Sequence, residues 1–215
     1  MTLAERIRAD SNHVASCDDA DILDMIREEG TNLAIWERRI GPSLPDSRRW
    51  PAIDDIGLTT PVCDVDAALR TALAAADYPS ACVAALADDI GLLATSVARI
   101  AGCDAVSIRL EIVETDACRR FHADHVTVRL ITTYAGRGTQ WLSDADAAAL
   151  RRGVDLADLH IRSLAPGDVA LFKGLGWAPD GAIVHRSPPI TASGEQRLVL
   201  VIDPAPSGKQ PMASP

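Results

Sequence analysis

Phe121-His122-Ala123-Asp124-His125 leads directly into Val126-Thr127-Val128-Arg129-Leu130-Ile131-Thr132-Thr133-Tyr134. The second part is rich in β-branched residues, which fit a pleated surface, and reads as a strand. If extended backbone continues back through the first part, side-chain alternation sets His122 and Asp124 on one face and Ala123 and His125 on the other. An imidazole and a carboxylate side by side are two arms of a metal grip. A third histidine, His185, stands far along the chain, beside another apolar run that ends in a turn. The architecture hinges on whether the rest of the chain can bring these three to one point.

Upstream the pattern is mostly helical. Residues 1 to about 20 lack periodicity and read as a loose frame. Asp18-Asp19-Ala20-Asp21 then offers caps for a short helix with Ile22, Met25 and Ile26 on one side, closed by Gly30. Leu33 to Arg38 reads as a strand stopped by Gly41-Pro42, and the Pro-, Asp- and Arg-rich stretch from there to Pro61 as a surface loop. From Asp64, Val65, Leu69 and Leu73 recur at every fourth position until Pro79. Ser80 is placed to cap a second helix, whose Val83, Leu86, Ile90, Leu93, Val97 and Ile100 alternate three and four apart as far as Gly102. Both helices carry apolar faces and almost no reactive side chains, so they read as support for a sheet.

After Gly102 the period falls to two. Val106, Ile108, Leu110 and Ile112 alternate with Ser107, Arg109, Glu111 and Val113 in a half-buried strand. Beyond Tyr134, Gly136-Arg137-Gly138 turns the chain into Thr139 to Leu142, and Ser143 is placed to cap a short alanine-rich helix that ends by Gly153. Short runs follow at Leu159–Leu164, Val169–Phe172, Ala182–His185 and Arg197–Ile202, separated by Pro- and Gly-containing turns. Such spacing in one half of a chain whose other half is helical predicts an α+β fold, a sandwich or barrel buttressed by helices.

Composition narrows the function classes. Lys+Arg at 21 against Asp+Glu at 30 gives a net charge of −9, and no basic run tracks a phosphate backbone, which argues against nucleic acid as a direct partner. The first residues carry charges and no apolar signal region, and no uninterrupted apolar run approaches bilayer length, so a cytoplasmic protein with no membrane partner is expected. Five cysteines without a CxxC pair argue against a disulfide framework or a zinc ribbon. Cys118, beside Arg119 and Arg120, is the one placed where a thiolate would be favoured.

Two imidazoles and one carboxylate, with the remaining coordination positions open, suit non-haem Fe(II). If residues 121 to 126 instead form a turn, His125 becomes a further ligand, and that larger set would suit zinc equally well. Trp141 and Trp177 flank the mouth expected beside these residues, and Arg129 and Arg109 lie on β-runs where a barrel interior could turn them toward an anionic ligand. His160 and His13 are expected outside the site.

Over about residues 105–203 the sequence resembles the Fe(II)- and 2-oxoglutarate-dependent oxygenases, whose fold is a cupin-like double-stranded β-helix, or jelly roll. His122-Ala123-Asp124 matches their HxD motif. Tyr134 to Trp141 is similar to their Gly-rich turn and following strand, and Pro166 to Phe172 to the strand before their distal ligand. His185 and Arg197 match the distal histidine and the arginine that follows it at the usual interval. The chain as a whole also resembles an uncharacterised bacterial domain-of-unknown-function family, which names no activity.

The chain reads as a single domain over residues 1–203, with the periodicity of 1–102 giving mainly helical support and the resemblance implying a jelly roll over 103–203; the Pro-, Ser- and Gly-rich residues 204–215 read as a flexible tail. The oxygenase resemblance implies Fe(II) on His122, Asp124 and His185, and 2-oxoglutarate held through Arg197 by a planar fork of donors that suits a carboxylate. The activity implied is oxidation of an unknown substrate, coupled to decarboxylation of the co-substrate. In that family a hydroxyl residue often stands two positions after the arginine, where this chain has Val199. Two other readings share the same residues: a non-catalytic, cupin-like protein for zinc or iron handling, and a degenerate jelly roll that serves as a binding module.

Overall fold

The computed structural model describes residues 13–38, 41 and 43–206. Ten strands and three α-helices follow one another as β1 (Val14–Cys17), β2 (Leu33–Trp36), β3 (Ile56–Pro61), α1 (Val65–Ala75), α2 (Ser80–Ala101), β4 (Ala105–Val113), β5 (Val128–Ala135), β6 (Gln140–Trp141), α3 (Asp144–Arg151), β7 (Arg162–Ser163), β8 (Val169–Lys173), β9 (His185–Arg186) and β10 (Arg197–Ala205). Seven strands form one sheet in the order β1-β2-β8-β5-β10-β4-β3, antiparallel except for the β1–β2 pair. β7, β6 and β9 form a second, smaller sheet in that order, and His122 bridges onto its open edge at His185.

Alternation along the strands divides the core in two. From β10, Leu198, Leu200 and Ile202 face the helices, where they pack with Leu86, Ile90, Leu93 and Val97 of α2. Val199 and Val201 face the small sheet and join Ile131, Phe172, Trp141 and Ile183. Burying each large apolar side chain contributes about 1.5–3 kcal/mol, so the four residues of the α2 stripe are a main attachment of helix to sheet. By length and composition α2 is apolar enough to cross a membrane, yet this stripe is spent on the sheet.

A buried polar group adds direction to that packing. The Arg38 guanidinium donates to both oxygens of Asp89 on α2 and to the Gly167 carbonyl, and Tyr134 of β5 donates to Asp89 at 2.6 Å. The Trp36 and Tyr134 rings flank the guanidinium at 5.3 and 5.7 Å. Burial pushes the Tyr134 phenol well above its ordinary range, and the neighbouring Asp89 carboxylate adds to the effect.

Several caps are where local chemistry predicts them. Asp19 accepts from the Asp21 N–H at the start of a 3-10 segment (Ala20–Arg27), Ser143 accepts from the Asp146 N–H before α3, and Gly102 ends α2 in the left-handed conformation. Other expectations are corrected. The N-cap of α2 is Pro79, with Ser80 already helical. The stretch before Pro61 is not all loop: β3 pairs with β4 along its length and forms a sheet edge, and Trp50 is buried. Residues 13–17 are not loose, because β1 pairs with β2 and His13 is buried. The first half is therefore more than helical support, since it supplies β1, β2 and β3 to the large sheet.

The strand expected at Leu159–Leu164 shrinks to β7, and the one at Ala182–His185 to β9. Pro204 belongs to β10 rather than to a tail. Pairing with β5 stops at Ile202 while pairing with β4 continues to Ala205, so a residue without an N–H sits where one flank of the strand is free. The readings made for residues 1–12, for Pro42 and for residues 207–215 lie outside the described residues.

Candidate metal centre

The centre begins with backbone. His122 and His185 form an antiparallel bridge in which the His122 N–H donates to the His185 carbonyl at 3.0 Å and the His185 N–H returns the bond at 2.9 Å. Residues paired in this way project on the same side of a sheet. The two rings accordingly lie beside each other with centroids 4.8 Å apart. Phe172 packs against the His185 ring from the large sheet, at 5.0 Å.

Asp124, two residues past His122, completes the group. The His185 Nε2 lies 3.3 Å from Asp124 Oδ2, and the His122 Nε2 lies 3.6 Å from Oδ1. One ligand atom from each of the three residues lies within 4.8 Å of the others, and among the described residues this is the one such cluster. The loop carrying Asp124 is pinned by the turn after β8, where the Leu175 N–H donates to the Asp124 carbonyl and the Gly174 N–H to the Thr127 carbonyl. A Cβ at position 174 would stand 2.1 Å from the Val126 carbonyl oxygen, so this close approach requires glycine.

The hydrogen bonds on the far side of each ring set the chemistry of the near side. His122 Nδ1 is 2.9 Å from the Arg120 carbonyl, and His185 Nδ1 is 3.2 Å from the Ile183 carbonyl. A carbonyl only accepts, so each Nδ1 donates to it and each ring turns its Nε2 toward Asp124. Asp124 Oδ2 is buried and has no hydrogen-bond partner. Two imidazole nitrogens and a carboxylate oxygen around one point could hold a divalent cation, and the donor types fit Fe(II) and Zn alike.

Asp124 Oδ1 is engaged from behind. Arg129 donates to it at 2.8 Å and holds both oxygens of Asp203 at 2.7 Å. Burial by itself would push the Asp124 carboxyl up, but His185, Arg129 and His122 together outweigh burial and hold it below the usual carboxylate range. For Arg129, burial opposes the charged form, and the bonds to Asp203 and Asp124 outweigh that and raise it.

Arg197, at the start of β10, is 1% exposed. Its Nε donates to the Arg137 carbonyl at 2.6 Å, and its terminal nitrogens donate to the hydroxyls of Ser187, Thr133 and Thr139 at 3.0, 3.2 and 3.5 Å. Every one of these partners is neutral. Burial without a carboxylate pushes the guanidinium down to about 10. Gly136, at φ +83°, lets the turn close over it, for a Cβ there would meet the Gln196 carbonyl at 2.4 Å. Ser187 lies two residues beyond His185, about 7 Å of extended chain.

The remaining candidates fall elsewhere. His125 is exposed and outside the cluster, and His160 is exposed beside β7. Trp141, opposite His185 in register, is buried between the sheets with Arg162 over its ring. Trp177 stacks on Lys173, whose ammonium reaches the Glu28 carbonyl on the helix side of the large sheet. Arg129 is committed to Asp124 and Asp203 rather than open to a ligand, and Arg109 pairs with Glu111. Cys118 is exposed in a left-handed conformation, φ +55°, and its carbonyl accepts from the Ser187 N–H. Asp203 and the hydroxyls of Thr133, Thr139 and Ser187 were not anticipated. Period-two counting from Arg197 puts Asp203 on its face of β10, and counting from Arg129 does the same for Thr133 on β5.

The sequence matches one family over residues 17–203, which span all of these side chains. The chain belongs to the DUF1826 family, described as a protein of unknown function. Among proteins of curated function, none matches. Solved structures similar to the chain include the dioxygenase for auxin oxidation 1 from Arabidopsis thaliana, as its 2-oxoglutarate complex, at 14% identity and TM-score 0.43 over 77% of this chain and 67% of that one. The rice dioxygenase for auxin oxidation is similar at 17% identity and TM-score 0.42, over 73% of this chain and 58% of that one. A Pseudomonas putida prolyl-4-hydroxylase is similar at 16% identity and TM-score 0.36, over 79% of this chain and 99% of that one. The chain thus spans under three fifths of the rice enzyme. These likenesses are partial, and the reading of the centre rests on its own geometry.

Proposed function

We propose that this protein is a metal-dependent oxygenase of the Fe(II)/2-oxoglutarate type, with Fe(II) on His122, Asp124 and His185 and the far carboxylate of the 2-oxo acid on Arg197. The observation that carries the reading is the juxtaposition of two features. A His–Asp–His donor set and a buried guanidinium whose hydrogen-bond partners are all neutral stand on one inner face, joined by the short stretch from His185 to Ser187.

The connectivity supports a double-stranded β-helix. β4, β5, β8 and β10 belong to the large sheet, and the intervening His122 bridge, β6 with β7, and β9 belong to the small one. Winding back and forth between two sheets in this manner is a jelly-roll path.

Each residue has a part. The Nδ1 bonds orient the two imidazoles, and Asp124 adds the one negative charge of the donor set. Fe(II) held by these residues would, with a 2-oxo acid, supply the oxygen activation that couples decarboxylation of the 2-oxo acid to oxidation of a second substrate. Arg197 supplies a planar fork of donors, and Thr133, Thr139 and Ser187 stand in for the hydroxyl that Val199 lacks. Phe172, Ile131 and Val199 line the inner face with apolar surface and exclude water. A protein that only stored metal would gain nothing from a buried cation beside it, so Arg197 favours the oxygenase over metal handling.

The test is spectroscopic. Anaerobic Fe(II) and 2-oxoglutarate added to the full chain should produce the visible charge-transfer band of a chelated 2-oxo acid. No band in metal-loaded protein, together with unchanged 2-oxoglutarate binding in Arg197→Ala, overturns the assignment.

A further inference from the structure

Asp124 presents its two oxygens to different partners. Oδ2 is buried, without a hydrogen bond, 3.3 Å from His185 Nε2, while Oδ1 receives the Arg129 guanidinium at 2.8 Å. Arg129 Nε and Nη2 donate to the two oxygens of Asp203, each at 2.7 Å. Arg129 and Asp203 lie on neighbouring strands, since Leu130 pairs with Ile202, and both side chains are at most 18% exposed. The relay therefore starts on the rigid centre of the large sheet and ends on a residue of the loop before β5.

We infer that Arg129, backed by Asp203, is a positioning residue that occupies Asp124 Oδ1 so that Asp124 offers one oxygen, Oδ2, to the metal. The inference rests on the metal assignment proposed above. Holding Oδ1 has two consequences. It fixes the rotation of a carboxylate that stands on a loop, and it keeps the second oxygen from taking a coordination position that a chelating co-substrate needs. A lone guanidinium this close would also repel a cation. Asp203 takes two of its donors and offsets most of that repulsion, so orientation decides the net effect.

Co(II) titration of the full chain, followed by its visible ligand-field spectrum, separates the possibilities. Wild type should bind Co(II), and the His122→Ala/His185→Ala variant should not; failure of that contrast overturns the metal assignment itself. With the contrast in hand, Arg129→Met should bind Co(II) about 10- to 100-fold more weakly. Its spectrum should also be altered, because Oδ1 is released to the metal. Arg129→Lys, which keeps one donor for Oδ1, should restore the spectrum and part of the affinity. Asp203→Asn should change the spectrum in the same sense and by less, and it stands in should Arg129→Met not fold. Wild-type spectrum and affinity in a folded Arg129→Met, or in Asp203→Asn if that variant alone folds, overturns the inference while leaving the metal assignment standing. A change that Arg129→Lys does not restore in any part also overturns it.

Discussion

His122 and His185 are joined through their backbones before their side chains have any role: each donates its N–H to the other's carbonyl, at 3.0 and 2.9 Å. This reciprocal bridge makes the distance between the imidazoles a property of sheet pairing rather than of rotamer choice. Asp124 has no comparable tie to the small sheet. Its position depends on the turn after β8 and on Arg129, which makes it the most easily displaced of the three.

Gly174→Ala tests that dependence. The added methyl would meet the Val126 carbonyl at 2.1 Å and the Asp124 carbonyl at 2.9 Å, both backbone atoms, so the loop must move. Urea unfolding should show a loss of about 1–3 kcal/mol, and Co(II) titration a weaker site. Unchanged stability and metal binding would mean that the turn does not position Asp124.

Arg197→Met separates function from stability. The buried guanidinium, pushed down to about 10 for want of a carboxylate, is held in a form that burial disfavours. The variant should melt no lower than wild type, bind metal as before, and lose 2-oxoglutarate binding by tenfold or more in isothermal titration. A large fall in melting temperature with intact 2-oxoglutarate binding would make Arg197 a structural residue.

Asp89 is expected to matter to folding and not to the centre. It is the carboxylate partner of buried Arg38 and accepts the Tyr134 hydroxyl, and its loss strands both. Asp89→Ala should cost about 3–5 kcal/mol in denaturant titration, whereas Tyr134→Phe, which removes one bond, should cost about 1 kcal/mol. Equal costs for the two variants would show that the ion pair contributes little.

His13 provides a pH signature. Burial pushes its imidazole below 6.5, with Asp144 opposing, and its Nε2 is buried without a partner. A depressed folded value means that the unfolded chain binds the proton more readily, so stability is full above about 6.5 and declines as pH falls from there through the folded value. Denaturant titrations at pH 7.5 and 5.5 should show that decline, and His13→Gln should flatten it. An unchanged slope in the variant would assign the effect to another group.

What the sequence determined by itself is local. The apolar stripe of α2, the caps at Asp19 and Ser143, the left-handed Gly102 and the long β4, β5 and β10 follow from periods and caps that act within a few residues. Alternation also singled out His122 and Asp124 as neighbours. Only tertiary structure decided which strands lie side by side, and the unforeseen features all depend on that. β3 is a strand because β4 offers it an edge, Pro204 is tolerated because pairing with β5 stops at Ile202, and His122 meets His185 because the small sheet's edge is open there. The charges follow the same rule. The segment around Arg129 has no local reason to choose Asp203, 74 residues away, and Arg197 none to be left without a carboxylate. Such pairings join residues far apart in the chain, and their strength is set by burial that exists only once the two sheets have closed.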